Sequence, residues 1–125
     1  MKNILLVEDD PFILDIYSSQ LRSQGFKVDI AKDGQMALDK IKINYPDLML
    51  LDMELPKVNG YEVLKALRED PKTKNIKTIV LSNYDEAGIN AKYHIDIANF
   101  GIIKCFLKVS ITPEEITNTI KEILN

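Results

Sequence analysis

The apolar run Leu48–Leu51 is the stretch that most restricts how this chain can fold. An unbroken apolar run of this length, without polar residues alternating in it, is typical of a strand buried on both faces. The run ends in a single carboxylate, Asp52, and Pro56 and Asn59–Gly60 then break the chain before a helical pattern begins at Tyr61. We therefore predict a buried parallel strand that carries an acid at its carboxyl end.

Similar apolar runs alternate with helical patterns along the rest of the chain. The other strands are predicted at Asn3–Val7, Val28–Ala31, Thr78–Leu81 and within Ile102–Leu107; helices are predicted after Asp10, after Asp33, from Tyr61, over Asp85–Ala98 and after Thr112. Thr112 and Glu115 have the spacing of a capping box. Because strands and helices alternate five times, the sequence predicts an α/β fold: a doubly wound five-stranded parallel sheet with five helices on its two faces. The strand order 2-1-3-4-5 is a common solution for this pattern.

In that order, polar residues from four strands meet at the carboxyl edge of the sheet, where open α/β sheets bind their ligands. These residues are Glu8, Asp9, Asp52, Ser82 and Lys108. Three carboxylates in one pocket raise at least one pKa unless a cation neutralises them, and Mg²⁺ takes carboxylate and phosphate oxygens. Asp52 is therefore a candidate nucleophile for a phosphoryl group, with Lys108 and Ser82 as the fixed charge and hydroxyl donor that this chemistry requires.

Composition restricts the function further. The chain has 125 residues and a formal net charge of −3, so it lacks the basic surface expected of a nucleic-acid-binding protein. No run approaches the roughly 20 apolar residues that span a bilayer. Cys105 is the only cysteine, which excludes an internal disulfide or a cysteine metal cluster. We predict one domain over residues 1–125 in the cytoplasm, with no direct nucleic-acid or membrane partner.

Four segments together resemble a stand-alone response-regulator receiver domain, a flavodoxin-like fold, over essentially the whole chain. They are LLVEDD at Leu5–Asp10, LLDMELPKVNG around Asp52, TIVLS ending at Ser82, and a lysine, Lys108, after a strand. The resemblance implies a phosphoacceptor switch of a two-component system rather than an enzyme with a separate substrate. It implies that Asp52 receives the phosphoryl group from a histidine kinase or phosphotransfer protein, and that Ser82 and Lys108 engage that group.

The same resemblance implies a Mg²⁺ site and an output surface. Asp9 and Asp52 would be direct ligands, with Glu8 acting mainly through water and the backbone carbonyl of Glu54 as a further ligand. An output protein would bind the face formed by the fourth helix, the fifth strand and the fifth helix. Glu54 and Tyr84 lie two positions beyond Asp52 and Ser82, so we expect them to flank the phosphoryl group and influence its lifetime.

Three residues depart from the usual receiver pattern. Val109 stands where proline normally follows the lysine, which favours a trans bond or a strained loop because a non-proline cis bond costs about 3 kcal/mol. Asn83 replaces a small residue after the hydroxyl position, and Cys105 replaces the aromatic switch residue. Phe106 is expected on the opposite side of the strand from Cys105.

Two other functions are compatible with parts of the sequence. The three departures favour a degenerate receiver that binds a partner without regard to phosphorylation. Asp52-Met53-Glu54 weakly resembles the D-x-D nucleophile motif of haloacid-dehalogenase-like phosphatases, although that motif requires aspartate where Glu54 stands.

Overall fold

The sheet of the computed structural model, which describes residues 1–125, has the predicted topology. Its strands are β1 (Asn3–Val7), β2 (Lys27–Ala31), β3 (Leu48–Asp52), β4 (Lys77–Ser82) and β5 (Lys104–Leu107). All neighbours are parallel, in the order β2-β1-β3-β4-β5. The helices are α1 (Pro11–Ser23), α2 (Gly34–Ile43), α3 (Gly60–Glu69), α4 (Glu86–Tyr93) and α5 (Pro113–Leu124). The predicted doubly wound fold is confirmed.

Two hydrophobic clusters, one on each face of the sheet, hold these layers together. β3 is buried along its whole length because both of its faces are covered. Met49 and Leu51 point to the cluster that includes residues of α2 and α3, whereas Leu48 and Leu50 point to the cluster that includes residues of α1 and α5. Burying one such side chain contributes about 1.5–3 kcal/mol, so the central strand is strongly fixed in register.

Side-chain caps set the positions at which the helices begin. Asp10 accepts a hydrogen bond from the backbone N–H of Phe12 at 2.9 Å at the start of α1. At the start of α5, Thr112 accepts from the N–H of Glu115 at 3.1 Å, but its hydroxyl also donates to the Glu115 carboxylate, so the predicted capping box is only half formed. A complete capping box occurs instead at α3, between Asn59 and Glu62. The sequence therefore located the starts of these helices better than their exact cap chemistry.

The segment predicted as one helix over Asp85–Ala98 is divided in two. α4 ends at Tyr93, the next residue, His94, has a left-handed backbone (φ 56°), and a separate 3-10 turn covers Ile97–Phe100. The Asn90 side chain accepts from the N–H of Ile97 at 2.8 Å and holds this second turn against the end of α4. A local tertiary hydrogen bond therefore replaces the helical continuation that the sequence pattern favoured. β5 is also shorter than the Ile102–Leu107 segment in which it was predicted.

No helix combines the length and the apolar character that a crossing of the bilayer requires.

Candidate functional site

Asp52 lies at the carboxyl end of β3 with no exposed surface. β1 and β4 flank this strand, so Asp52 stands between the ends of both neighbours. Its Oδ1 accepts a hydrogen bond from the backbone N–H of Glu54 at 2.9 Å. Its Oδ2 lies 2.8 Å from the Nζ atom of Lys108. The acid is thus held by one backbone donor and one ammonium group.

Glu8, the residue after β1, is a second fully buried carboxylate beside Asp52. Its Oε2 accepts from the backbone N–H groups of Asp9 and Asp10 at 3.0 and 3.2 Å. Its Oε1 lies 3.2 Å from Lys108 Nζ. Burial, reinforced by the negative charge of Asp52, raises the pKa of Glu8 to about 7. The metal-free site therefore holds more negative charge than its surroundings stabilise.

Lys108 reaches both acids from the residue that follows β5. Its backbone N–H donates to the carbonyl of Ser82 at 2.9 Å, which extends the β4–β5 pairing to the edge of the sheet. Burial lowers the pKa of Lys108, but the hydrogen bond and charge of Asp52, together with Glu8, outweigh that effect and raise it. The side chain is therefore a fixed ammonium that is shared between two carboxylates. The Lys108–Val109 peptide bond is trans, one of the two outcomes that the sequence favoured.

The donor set suits a hard divalent cation. Glu8, Asp9 and Asp52 each offer an oxygen, and these atoms lie within 4.8 Å of one another. Glu8 Oε1 and Asp52 Oδ2 are buried and have no partner other than the Lys108 ammonium, so each has a lone pair free for a further ligand. Asp9 is exposed, which leaves the group accessible from solvent. One ammonium cannot neutralise three carboxylates, and Mg²⁺ coordinates this kind of all-oxygen ligand set.

The Glu8 shift gives a pH-dependent prediction for the metal-free protein. Because the folded protein binds a proton that the unfolded chain has released, this group makes stability fall as pH rises from about 4.5 to about 7. Glu8→Gln should therefore raise the free energy of unfolding by about 1–2 kcal/mol at pH 8, with little gain at pH 5. Urea unfolding without divalent cations measures this difference. Asp15→Asn, which removes an exposed acid from α1, is the control and should change stability by less than about 0.5 kcal/mol; equal effects of the two substitutions would contradict the assignment.

Ser82 ends β4 and is fully buried, but its hydroxyl is not directed at Asp52. It lies 2.9 and 3.1 Å from the two carboxylate oxygens of Glu54, to which it donates. The backbone N–H of Asn83 donates to Glu54 Oε1 at 2.6 Å. Sequence reasoning expected the Glu54 carbonyl to bind the metal and the residue to flank the phosphoryl group, but it missed the contact between the Glu54 side chain and Ser82. The one available signal was an acid two positions after Asp52.

An aromatic cluster from other elements lies beside the segment that follows Asp52. The hydroxyl of Tyr93, on α4, donates to the carbonyl of Met53 at 3.1 Å. The ring centroids of Tyr93 and Tyr61 are 5.9 Å apart, and those of Tyr61 and Phe100 are 5.7 Å apart. Sequence reasoning did not predict this Tyr93 contact with the backbone next to Asp52, because it joins residues 40 positions apart.

Cys105, at the usual aromatic position, belongs to the cluster on the α2–α3 face, whereas Phe106 packs on the opposite face, as expected. Burial, with nearby acids as smaller causes, raises the pKa of the Cys105 thiol to about 11. The residue is therefore a partly buried, protonated thiol, and it fills only part of the space that an aromatic ring would occupy.

Residues 4–121 match the family model described as "Response regulator receiver domain". The chain belongs to the response-regulator receiver family. The match covers most of α5 and, except for Asn3, all five strands, so the acidic edge described above is the edge of a receiver domain of a two-component system. Receiver domains are signalling switches, and an acidic pocket such as that of Glu8, Asp9 and Asp52 is typical of domains that are phosphorylated.

Curated relatives include two bacterial regulators. The polar-differentiation response regulator DivK of Brucella ovis is 30% identical over 87 residues, which cover 70% of this chain and 71% of DivK. The DNA-binding dual master transcriptional regulator RpaA of a Synechocystis strain is 39% identical over 82 residues, covering 66% of this chain. The aligned region is only 34% of RpaA, so the similarity concerns a third of that protein.

Solved structures show the same architecture. A CheY-like receiver domain protein from Methanospirillum hungatei superposes with a TM-score of 0.85 at 29% identity, covering 99% of this chain and 94% of the other. The response regulator TrrA of Thermotoga maritima, solved in complex with Mg²⁺ and beryllofluoride, has a TM-score of 0.80 at 31% identity, covering 99% of this chain and all of TrrA.

Proposed function

We propose that this receiver domain is a phosphoacceptor switch in which Asp52 accepts a phosphoryl group from a histidine kinase or a phosphotransfer protein. The observation that carries the proposal is that Lys108, 2.8 Å from Asp52, is shared with a second buried carboxylate, Glu8. A carboxylate that only stabilised the fold would not be buried beside a like charge with a single ammonium shared between the two. Phosphoryl transfer requires the fixed positive charge of Lys108 at this place, because negative charge accumulates on the phosphoryl oxygens during transfer.

In the proposed transfer, an Asp52 carboxylate oxygen attacks the phosphorus of a phosphohistidine. A new oxygen–phosphorus bond forms and the phosphorus–nitrogen bond breaks. The electron pair of that bond remains on an imidazole whose other nitrogen carries a proton, so neutral histidine leaves. Lys108 stabilises the added negative charge, and the Glu54 N–H, 2.9 Å from Asp52 Oδ1, keeps the carboxylate oriented. The only reactions in this proposal are the gain and loss of the domain's own phosphoryl group.

The same residues would hold Mg²⁺. Asp9 and Asp52 are the proposed direct ligands, Glu8 is proposed to act mainly through water, and the backbone carbonyl of Glu54 is a further proposed ligand. Glu8 Oε1 and Asp52 Oδ2 support this assignment, because each is paired only with Lys108 and has a lone pair left for the cation. When bound, the cation supplies positive charge to the phosphoryl oxygens.

We also propose that residues 1–125 form one receiver domain in the cytoplasm. An output protein would bind the face formed by α4, β5 and α5. Side chains on and next to this face, such as Ile103 and Tyr84, are 43% and 41% exposed and available for contact. Backbone amide NMR shifts recorded with and without Mg²⁺ and beryllofluoride should change most on this face. Shifts confined to the opposite face, around α2 and α3, would contradict the assignment.

Incubation with acetyl phosphate and Mg²⁺ tests phosphoryl acceptance. We expect one phosphoryl group per chain, lost at alkaline pH as an acyl phosphate is, with the label mapped to Asp52 by borohydride reduction and mass spectrometry. Omission of Mg²⁺ should lower the rate by at least about tenfold, since the cation supplies several kcal/mol of charge stabilisation. The matched control is Asp52→Asn, which keeps the size of the side chain and removes the nucleophile. Labelling of that variant at the wild-type level would refute the proposal.

One observation favours the alternative of a phosphorylation-independent binding module: the Ser82 hydroxyl is bonded to Glu54 and not directed at Asp52. That alternative predicts the same partner affinity for wild type, phosphorylated protein and Asp52→Asn. Titration of an isolated partner against all three forms separates the two functions, because a switch requires at least one of these affinities to differ.

A further inference from the structure

The Glu54 carboxylate occupies two hydrogen-bond donors at the end of β4. The Ser82 hydroxyl lies 2.9 and 3.1 Å from its two oxygens, and the Asn83 N–H lies 2.6 Å from one of them. Each of these donors has a single proton. Neither can serve a second acceptor at full strength while Glu54 holds it.

Glu54 is in addition anchored next to the acceptor. Its own backbone N–H donates to Asp52 Oδ1 at 2.9 Å, so its main chain is fixed against Asp52 while its side chain extends to β4. The hydrogen bonds span 28 and 29 residues of sequence and therefore depend on the packing of β3 beside β4. The result is a negatively charged group placed across the edge of the pocket that contains Asp52.

A phosphoryl group on Asp52 would bring several anionic oxygens to this edge. These oxygens would need donors, and the negative charge of Glu54 would repel them. We propose that the Glu54 carboxylate is an internal competitor of the phosphoryl group: it holds the Ser82 hydroxyl and the Asn83 N–H before phosphorylation and releases both when Asp52 is phosphorylated. This inference rests on the proposed phosphoryl acceptance by Asp52. Glu54 is then a positioning residue: by holding the Ser82 hydroxyl and the Asn83 N–H, it determines how readily Asp52 is phosphorylated.

Phosphorylation kinetics test the competition. In Glu54→Ala, the rate of labelling by acetyl phosphate with Mg²⁺ should rise about tenfold, because one charged competitor for two donors is absent. Glu54→Gln keeps the shape and an acceptor oxygen but loses the charge, so its rate should lie between those of Glu54→Ala and wild type. Glu86→Gln, which removes an exposed acid in the first turn of α4, is the control and should leave the rate within about twofold of wild type.

A hydrogen-bond measurement tests the structural part of the inference. The scalar coupling across the hydrogen bond, between the Asn83 amide nitrogen and the Glu54 carboxylate carbon, should be detectable by NMR in the free protein. It should disappear when Mg²⁺ and beryllofluoride saturate the site. Persistence of the coupling in the saturated protein, or its absence from the free protein, would overturn the inference.

The outcomes distinguish this inference from the proposed function. If wild type is labelled on Asp52 and the Glu54 variants are labelled at the same rate, the competition is refuted and phosphoryl acceptance stands. If wild type resists labelling but Glu54→Ala accepts it, the competition is supported. If no variant is labelled, both proposals are wrong.

Discussion

Replacing Lys108 with methionine is expected to slow the phosphorylation of Asp52 by about 100-fold, because the fixed positive charge that faces the attacking carboxylate is lost. Methionine keeps most of the length of the side chain, so the change isolates the charge. The two oxygens that face the ammonium, Glu8 Oε1 and Asp52 Oδ2, have no hydrogen bond to replace it. The same substitution should therefore lower the free energy of unfolding of the metal-free protein by about 2–4 kcal/mol at pH 8.

The stability loss in Lys108→Met should depend on pH. The Lys108 charge lowers the pKa of Glu8, so without it Glu8 holds its proton still more tightly in the folded state than in the unfolded chain, and stability falls further as pH rises. Urea unfolding at pH 6 and pH 8, together with labelling by acetyl phosphate, measures both effects. Lys65→Met, at an exposed position on α3, is the control and should alter neither result. A Lys108→Met protein as stable at pH 8 as wild type would show that the ammonium does not balance these acids.

The second large effect is expected for Gly60→Ala. An added Cβ at Gly60 would lie 2.5 Å from the Cα of Met53 and 2.7 Å from the carbonyl oxygen of Asp52. Both contacts are with backbone, which cannot move away as a flexible side chain can. We expect a loss of about 3 kcal/mol in the free energy of unfolding and slower labelling of Asp52, because the segment that follows the acceptor must shift.

Gly25→Ala separates this clash from a general effect of replacing glycine. Gly25 has a positive φ of 90° but nothing within 4 Å of an added Cβ, so only backbone strain of about 1 kcal/mol is expected. Labelling of Asp52 should be unaffected in that variant. If urea unfolding gives the same loss for both substitutions, the close approach of α3 to the end of β3 has no energetic consequence and the prediction is wrong.

Local patterns in the sequence determined the elements of the fold and their order. Apolar runs such as Leu48–Leu51 marked the strands, since a strand covered on both faces needs no polar residue. Asp10 and Asp33 marked helix starts, because a side chain that caps backbone N–H groups acts within three residues of sequence. Parallel strands with right-handed crossovers then placed Glu8, Asp52, Ser82 and Lys108 at one edge.

Only the tertiary structure decided how these side chains share their partners. The division of Lys108 between Glu8 and Asp52, and the capture of the Ser82 hydroxyl by Glu54, join residues far apart in sequence. Such pairings depend on the register of neighbouring strands to within one residue and on the rotamer of each side chain, and neither leaves a periodic trace in the sequence. The end of α4 at Tyr93 also escaped the sequence pattern; there the Asn90 side chain accepts from the N–H of Ile97 and holds the following 3-10 turn.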